Sequence, residues 1–162
     1  MRESLATLAE RRVPRYTSYP TAPHFNGSVD GATLTRWLAE IPPATPLSLY
    51  LHVPFCRQIC WYCACNMKLV SREEPVLEYA DWLGREIDLV AERLPAAMPV
   101  TAIHWGGGTP TAMPMAALSR ITERLRARFR IAEDAETAFE IDPRSFEPGM
   151  AAGLAAHGAN RA

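Results

Sequence analysis

Residues 47–65 read LSLYLHVPFCRQICWYCAC. Leu47, Leu49, Leu51 and Val53 alternate with Ser48, Tyr50 and His52, the period of two expected of a strand with one face covered. Pro54 ends that pattern. All four cysteines of the chain follow at once, as Cys56, Cys60, Cys63 and Cys65. A disulfide framework spreads its cysteines to staple distant loops, and this clustering argues for a metal site instead. Zinc usually takes its ligands as two separated pairs, and no second pair exists here. His52 could complete a zinc site, although its spacing matches no common pattern. Iron–sulfur clusters take thiolates from one short loop. Three cysteines around a [4Fe–4S] cube would leave one iron open to a further ligand.

Downstream, Ser71 and Glu74 have capping-box spacing ahead of Pro75, which suits a first helical turn. Leu77, Ala80, Leu83, Ile87, Val90 and Leu94 then recur at helical spacing, and Pro95 and Pro99 stop the run. Val100–Trp105 predicts a second strand running into Gly106-Gly107-Gly108-Thr109-Pro110. Leu118, Ile121, Leu125 and Phe129 mark a second helix with Pro114 near its start, and its outer residues Arg120, Glu123, Arg124 and Arg126 suit a solvated face. Thr137–Ile141 predicts a third strand, and a third helix runs from near Pro148 to about His157-Gly158. Upstream, Asp30 can cap a short helix carrying Leu34, Trp37 and Leu38. Pro42, Pro43 and Pro46 break it.

The order βα-βα-βα implies an α/β fold with a parallel sheet. In such sheets, sites form at the carboxyl ends of the strands. The cysteine loop, the glycine run and Glu140 fall at the three successive strand ends.

The chain has 162 residues, 48% hydrophobic and 22% charged, with 17 basic against 18 acidic residues. That composition is ordinary for a globular domain and gives no electrostatic reason to expect nucleic acid or an anionic membrane as a partner. No apolar run approaches the ~20 residues of a membrane span. The charged N-terminus, MRESLATLAERR, lacks the apolar stretch of a signal peptide, so a cytoplasmic protein is the expectation. A complete (β/α)8 barrel, typically about 250 residues, exceeds this length.

The segments RYTSYPTA, LYLHVPFCRQICWYCACN, HWGGGTPT and EIDPR together resemble the radical S-adenosylmethionine (SAM) enzymes, and among them the oxygen-independent coproporphyrinogen III oxidases. The resemblance runs from about Arg15 to Arg161. It implies that Cys56, Cys60 and Cys63 ligate a [4Fe–4S] cluster whose fourth iron takes SAM, with Cys65 at a position not counted as a ligand. It implies two SAM molecules per full-length enzyme. Tyr50 and Gly107 would meet the first, Tyr62, Gly108 and Thr109 the second, and Glu140 is a further cofactor-binding residue. Glu140 can accept hydrogen bonds from ribose hydroxyls, and glycines let backbone amides approach a ligand closely. No protein residue is expected to do the catalytic chemistry itself. The implied reaction cleaves SAM to a 5′-deoxyadenosyl radical, which takes hydrogen from a propionate of coproporphyrinogen III. Loss of carbon dioxide and one further electron then leaves a vinyl group, and two rounds give protoporphyrinogen IX. An electron-donor protein is the implied partner, and the implied state is a monomer.

His104 and Trp105 are expected to pack or orient the glycine loop. Arg15, Tyr16 and Tyr19 are candidates for covering the site or meeting substrate carboxylates. The expected division is an extension over 1–46 and the first three βα units of a partial barrel over 47–162. Asn160-Arg161-Ala162 would open the family's fourth strand, so the chain reads as a fragment, a truncated gene product or one piece of a split protein, inactive alone. A non-catalytic iron–sulfur or haem-binding protein like the haem-chaperone paralogues, and a structural zinc module, are the alternatives.

Overall fold

The computed structural model describes residues 20–61, 63 and 66–162. The chain divides into two compact units, 1–34 and 35–162. In the first, a single 3-10 turn spans Ala22–His24. Asp30 Oδ1 accepts a hydrogen bond from the Thr33 amide at 2.8 Å, the expected helix cap, and this bond holds the Asp30 carboxyl below the usual carboxylate range. The helix it opens, α1, covers Gly31–Ala39.

The second unit is built on three parallel strands: β1 (Leu47–Val53), β4 (Pro99–Gly107) and β5 (Arg130–Phe139). Their order in the sheet is β1-β4-β5. A separate two-stranded ladder pairs β2 (Phe55–Cys56) with β3 (Lys68–Leu69). The crossovers are helices α2 (Glu74–Ala91) and α3 (Met115–Arg128), and α4 (Pro148–Ala156) follows β5. An isolated parallel bridge joins Ala138 to Arg161, where the fourth strand was expected to open. Among the described residues no helix is long and apolar enough to cross a membrane.

The alternation read in β1 sorts its residues between the sheet's two faces. Leu51 and Val53 join Ile103, Trp105 and Phe139 in a core closed by Ala80, Leu83 and Ile87 of α2 and Leu118, Ile121 and Leu125 of α3. Trp105 and Phe139 stack with centroids 5.1 Å apart. Tyr50 and His52 take the opposite face, and Tyr50 stacks at 5.6 Å on His104, its cross-strand neighbour.

Four expectations need correction. No capping box forms: α2 starts at Glu74, Glu73 is already helical, and no side chain caps the helix. The buried stripe of α2 is Val76, Ala80, Leu83, Ile87. Leu77 sits one residue out of that phase, turned by about 100°, and is exposed. β5 begins at Arg130 rather than Thr137 and ends at Phe139. Its first pairs, Pro99↔Arg130 and Val100↔Ile131, are separated by a register shift from Ala102↔Glu136. Glu133 and Asp134 in the shifted segment are exposed, which erased the strand pattern in sequence. β4 in turn extends through Gly106 and Gly107, which pair with His52 and Val53.

Candidate functional site

The carboxyl ends of β1, β4 and β5 converge through backbone hydrogen bonds. The Lys68 amide donates to Pro54 O at 2.6 Å and the Val70 amide to Cys56 O at 3.0 Å, so the cysteine loop is closed at its neck. The Gly108 amide donates to Val53 O at 2.8 Å and the Thr109 amide to Phe55 O at 2.7 Å. These two bonds stitch the glycine loop to the start of the cysteine loop. Within the latter, the Cys63 amide donates to Cys60 O at 3.1 Å. Cys56 Sγ and Thr109 Oγ1 are hydrogen-bonded at 3.4 Å, and both side chains are buried. Cys60 is half-buried, Cys63 is exposed, and none of the three is in a disulfide.

Glycine is required at two of the three positions for different reasons. Gly107 has φ of +111°, a region that side chains rarely adopt, and a Cβ there would sit 2.6 Å from the His52 ring. A Cβ on Gly108 would lie 2.7 Å from Phe55 O and 2.9 Å from Phe55 N. Those are backbone atoms already tied into the junction, so they cannot swing aside. Gly108→Ala is therefore expected to destabilise the fold by about 1–3 kcal/mol in urea denaturation. Gly149→Ala, where nothing lies within 4 Å of the added carbon, is the matched control and stays near neutral. Equal midpoints for the two variants would contradict this junction.

Gly106, read in sequence only as part of the glycine run, makes room for two polar groups. A Cβ there would meet Glu140 Oε1 at 2.8 Å and the Tyr50 hydroxyl at 2.9 Å. Glu140 follows β5 directly, its amide donating to Trp105 O at 2.9 Å. Its carboxylate accepts from His104 Nε2 at 3.1 Å and from the Gly107 amide at 3.2 Å. His104 thus braces Glu140, whereas Trp105 is core. Tyr50 donates to His52 Nδ1 at 3.4 Å, and His52 Nε2 donates to Asn66 O at 3.3 Å, tying β1 to the far end of the cysteine loop. The Tyr79 hydroxyl donates to His52 O at 2.6 Å, and burial pushes its pKa up, with Glu86 adding to the shift.

A cavity of about 610 Å³ is lined by Cys56, Cys60, Cys63, Gly107, Gly108, Thr109 and Glu140, along with His104 and Asp142. That volume suits a small-molecule ligand. Tyr50 does not line this cavity; it borders another with Tyr79 and Leu83, and is 58% exposed. Tyr62, Cys65, Arg15, Tyr16 and Tyr19 lie outside the described residues. Among the described residues, no three His, Cys, Asp or Glu side chains are gathered as a ready metal-ion site. Asp142 and Arg144 close the EIDPR segment in the loop after β5, and Arg144 reaches the cysteine loop, a contact the sequence did not show. Arg144 Nη2 lies 3.2 Å from Cys60 Sγ and 2.7 Å from Asp142 Oδ2. Hydrogen bonds from Arg144 hold the Asp142 carboxyl below the usual carboxylate range.

Residues 50–162 match the radical SAM superfamily. The chain belongs to the radical SAM superfamily. This radical SAM chain is 47% identical over 163 residues to an oxygen-independent coproporphyrinogen III oxidase of Bradyrhizobium diazoefficiens, covering 100% of the chain and 36% of that protein. It is 44% identical over 155 residues to the enzyme of the same name from Paracoccus denitrificans, covering 96% of the chain and 34% of the relative. Among solved structures, the coproporphyrinogen III oxidase of Escherichia coli, described as a radical SAM enzyme, superposes with a TM-score of 0.84 at 37% identity. That match covers 98% of this chain and 35% of the other. The radical SAM chain therefore spans about a third of the relatives it matches. Membership of the superfamily implies a [4Fe–4S] cluster and SAM, and the donor set fits: three thiols open on one cavity beside a backbone cradle that tolerates no side chain.

Proposed function

We propose that this chain carries the cluster-binding and SAM-binding part of an oxygen-independent coproporphyrinogen III oxidase. The observation that carries the reading is the single cavity shared by Cys56, Cys60, Cys63, the Gly107-Gly108-Thr109 turn and Glu140. Cys56, Cys60 and Cys63 would hold the cluster. All three line that one cavity and come from one short loop, as iron–sulfur ligands do, with no second pair to complete a zinc site. When bound, the cluster and SAM supply one electron and a 5′-deoxyadenosyl radical for the decarboxylation of coproporphyrinogen III to protoporphyrinogen IX.

The chain's own residues bind and orient. Glu140 would take the ribose hydroxyls of the first SAM, pre-set by His104 and the Gly107 amide. Gly107 would offer its backbone to the same molecule, with Tyr50 at the margin. Gly108, Thr109 and Tyr62 would face a second SAM. Residues 47–162 form the radical SAM core of this reading and 1–46 an extension to it. An electron-donor protein would reduce the cluster, and the chain would act as a monomer in the cytoplasm.

Glu140→Ala tests the ligand half of this proposal. A hydrogen bond to a charged group contributes about 1.5–3 kcal/mol. SAM affinity of the cluster-loaded chain should fall at least roughly tenfold by titration calorimetry, with iron content unchanged. Unaltered affinity would remove Glu140 from the binding site.

A further inference from the structure

Arg144 stands in the loop after the third strand of the sheet, and its guanidinium reaches a cysteine 84 residues earlier in the chain. Every nitrogen of that group has a partner. Nε and Nη2 fork onto the two oxygens of Asp142, at 2.9 Å to Oδ1 and 2.7 Å to Oδ2. Nη1 donates to Ile59 O at 3.4 Å, and Nη2 also donates to Cys60 Sγ at 3.2 Å. Asp142 is itself fixed. Its Oδ1 accepts from the Arg144 backbone amide at 3.0 Å, its carbonyl accepts from the Ser145 amide at 3.0 Å, and its side chain is only 12% exposed. A bidentate fork sets the plane and direction of a guanidinium in a way that a flexible ammonium cannot match. The Arg144 donor is therefore aimed at the sulfur before any ligand arrives.

We propose that Arg144 is a positioning residue for the Cys60 thiolate, and that its hydrogen bond raises the reduction potential of a cluster held by that thiolate. This rests on the reading of Cys56, Cys60 and Cys63 as cluster ligands. Hydrogen bonds and positive charge beside a ligating sulfur stabilise the more negative, reduced form of an iron–sulfur centre. Arginine keeps its charge at any working pH, so the effect does not switch off. The contact to Ile59 O pins the residue next to the ligand as well, so Arg144 holds both the backbone and the sulfur at the middle of the loop. Asp142 acts one step further out, by aiming the guanidinium.

The test uses the full chain reconstituted anaerobically with iron and sulfide. The reduction potential is read by dithionite titration followed by electron paramagnetic resonance of the reduced cluster. Arg144→Gln, which removes the charge and the fork, is expected to shift the potential to more negative values at near-native iron and sulfide content. Asp142→Glu, which keeps both charges but moves the fork and so spoils its aim, should shift it in the same direction by less. Arg144→Lys should fall between native and Arg144→Gln. Native potentials in both Arg144→Gln and Asp142→Glu would overturn the proposal, because a purely structural role alters loading and not potential. Should Arg144→Gln take up no cluster, Asp142→Glu decides: a negative shift supports the proposal and an unchanged potential overturns it. Failure of the native chain to take up iron and sulfide would instead overturn the ligand assignment, and the role of Arg144 with it.

Discussion

Cys60→Ala is expected to abolish cluster uptake. After anaerobic reconstitution the native chain should carry iron and acid-labile sulfide in equal amounts, and the variant should carry background levels of both. Cys60 sits mid-loop, with its carbonyl taken by the Cys63 amide and its sulfur met by Arg144. Alanine keeps the backbone turn and removes only the sulfur. A structural metal site depends on its full set of ligands, so the loss should be near complete rather than partial. Reductive cleavage of SAM to 5′-deoxyadenosine should disappear with the cluster. Two results would contradict this: a fully loaded Cys60→Ala, or a native chain that takes up zinc and no sulfide. The second would return the thiols to a structural zinc site.

The largest effect on stability is expected at Trp105→Ala. Trp105 is 1% exposed, stacks on Phe139, and lies among core residues from both α2 and α3. Truncating a buried aromatic costs about 3–5 kcal/mol through lost transfer energy and the cavity left behind. That is a large share of the 5–15 kcal/mol or so that holds a typical domain together. Trp82 provides the contrast: it is 58% exposed and carries only the Arg85 guanidinium over its ring, at 4.5 Å. Trp82→Ala should cost under about 1 kcal/mol. Urea midpoints that fall equally for the two variants would show that the Trp105–Phe139 stack does not anchor the sheet.

These expectations differ in how far they could be seen beforehand. β1 was legible to the residue, because Leu47 to Val53 alternates without a break and Pro54 closes it. The cysteine loop and glycine run were legible because each is a dense local signal. The start of β5 was not legible, because its register shift places Glu133 and Asp134 where alternation would need apolar residues. Leu77 was misplaced for a related reason: two apolar neighbours, Val76 and Leu77, fit a helical stripe almost equally well until packing selects one. In the site, Glu140 stood out as a carboxylate at a strand end. His104 and Gly106 could not be read as its neighbours without the β4–β5 register, which sets His104 opposite Ala138 and close to the end of β5. Arg144 closes the EIDPR segment, but nothing in that segment pointed to a cysteine 84 residues earlier. Its meeting with Cys60 depends on the first and third strand-end loops closing over the same cavity.

The strand order β1-β4-β5 has a further consequence, for biosynthesis. Each new strand joins the sheet beside the one made just before it, so assembly can follow the order in which the ribosome releases the chain. The cysteine loop would then emerge first, on a strand with no parallel neighbour. The Lys68 and Val70 amides can close its neck before β4 is made, the Gly108 and Thr109 amides that stitch it to the glycine loop follow β4, and Arg144 arrives only after β5. Metal insertion before β4 has docked would meet thiols on a loop not yet stitched to the glycine turn. The order of the strands therefore also sets a schedule, in which the thiols are made early and become a finished receptacle late.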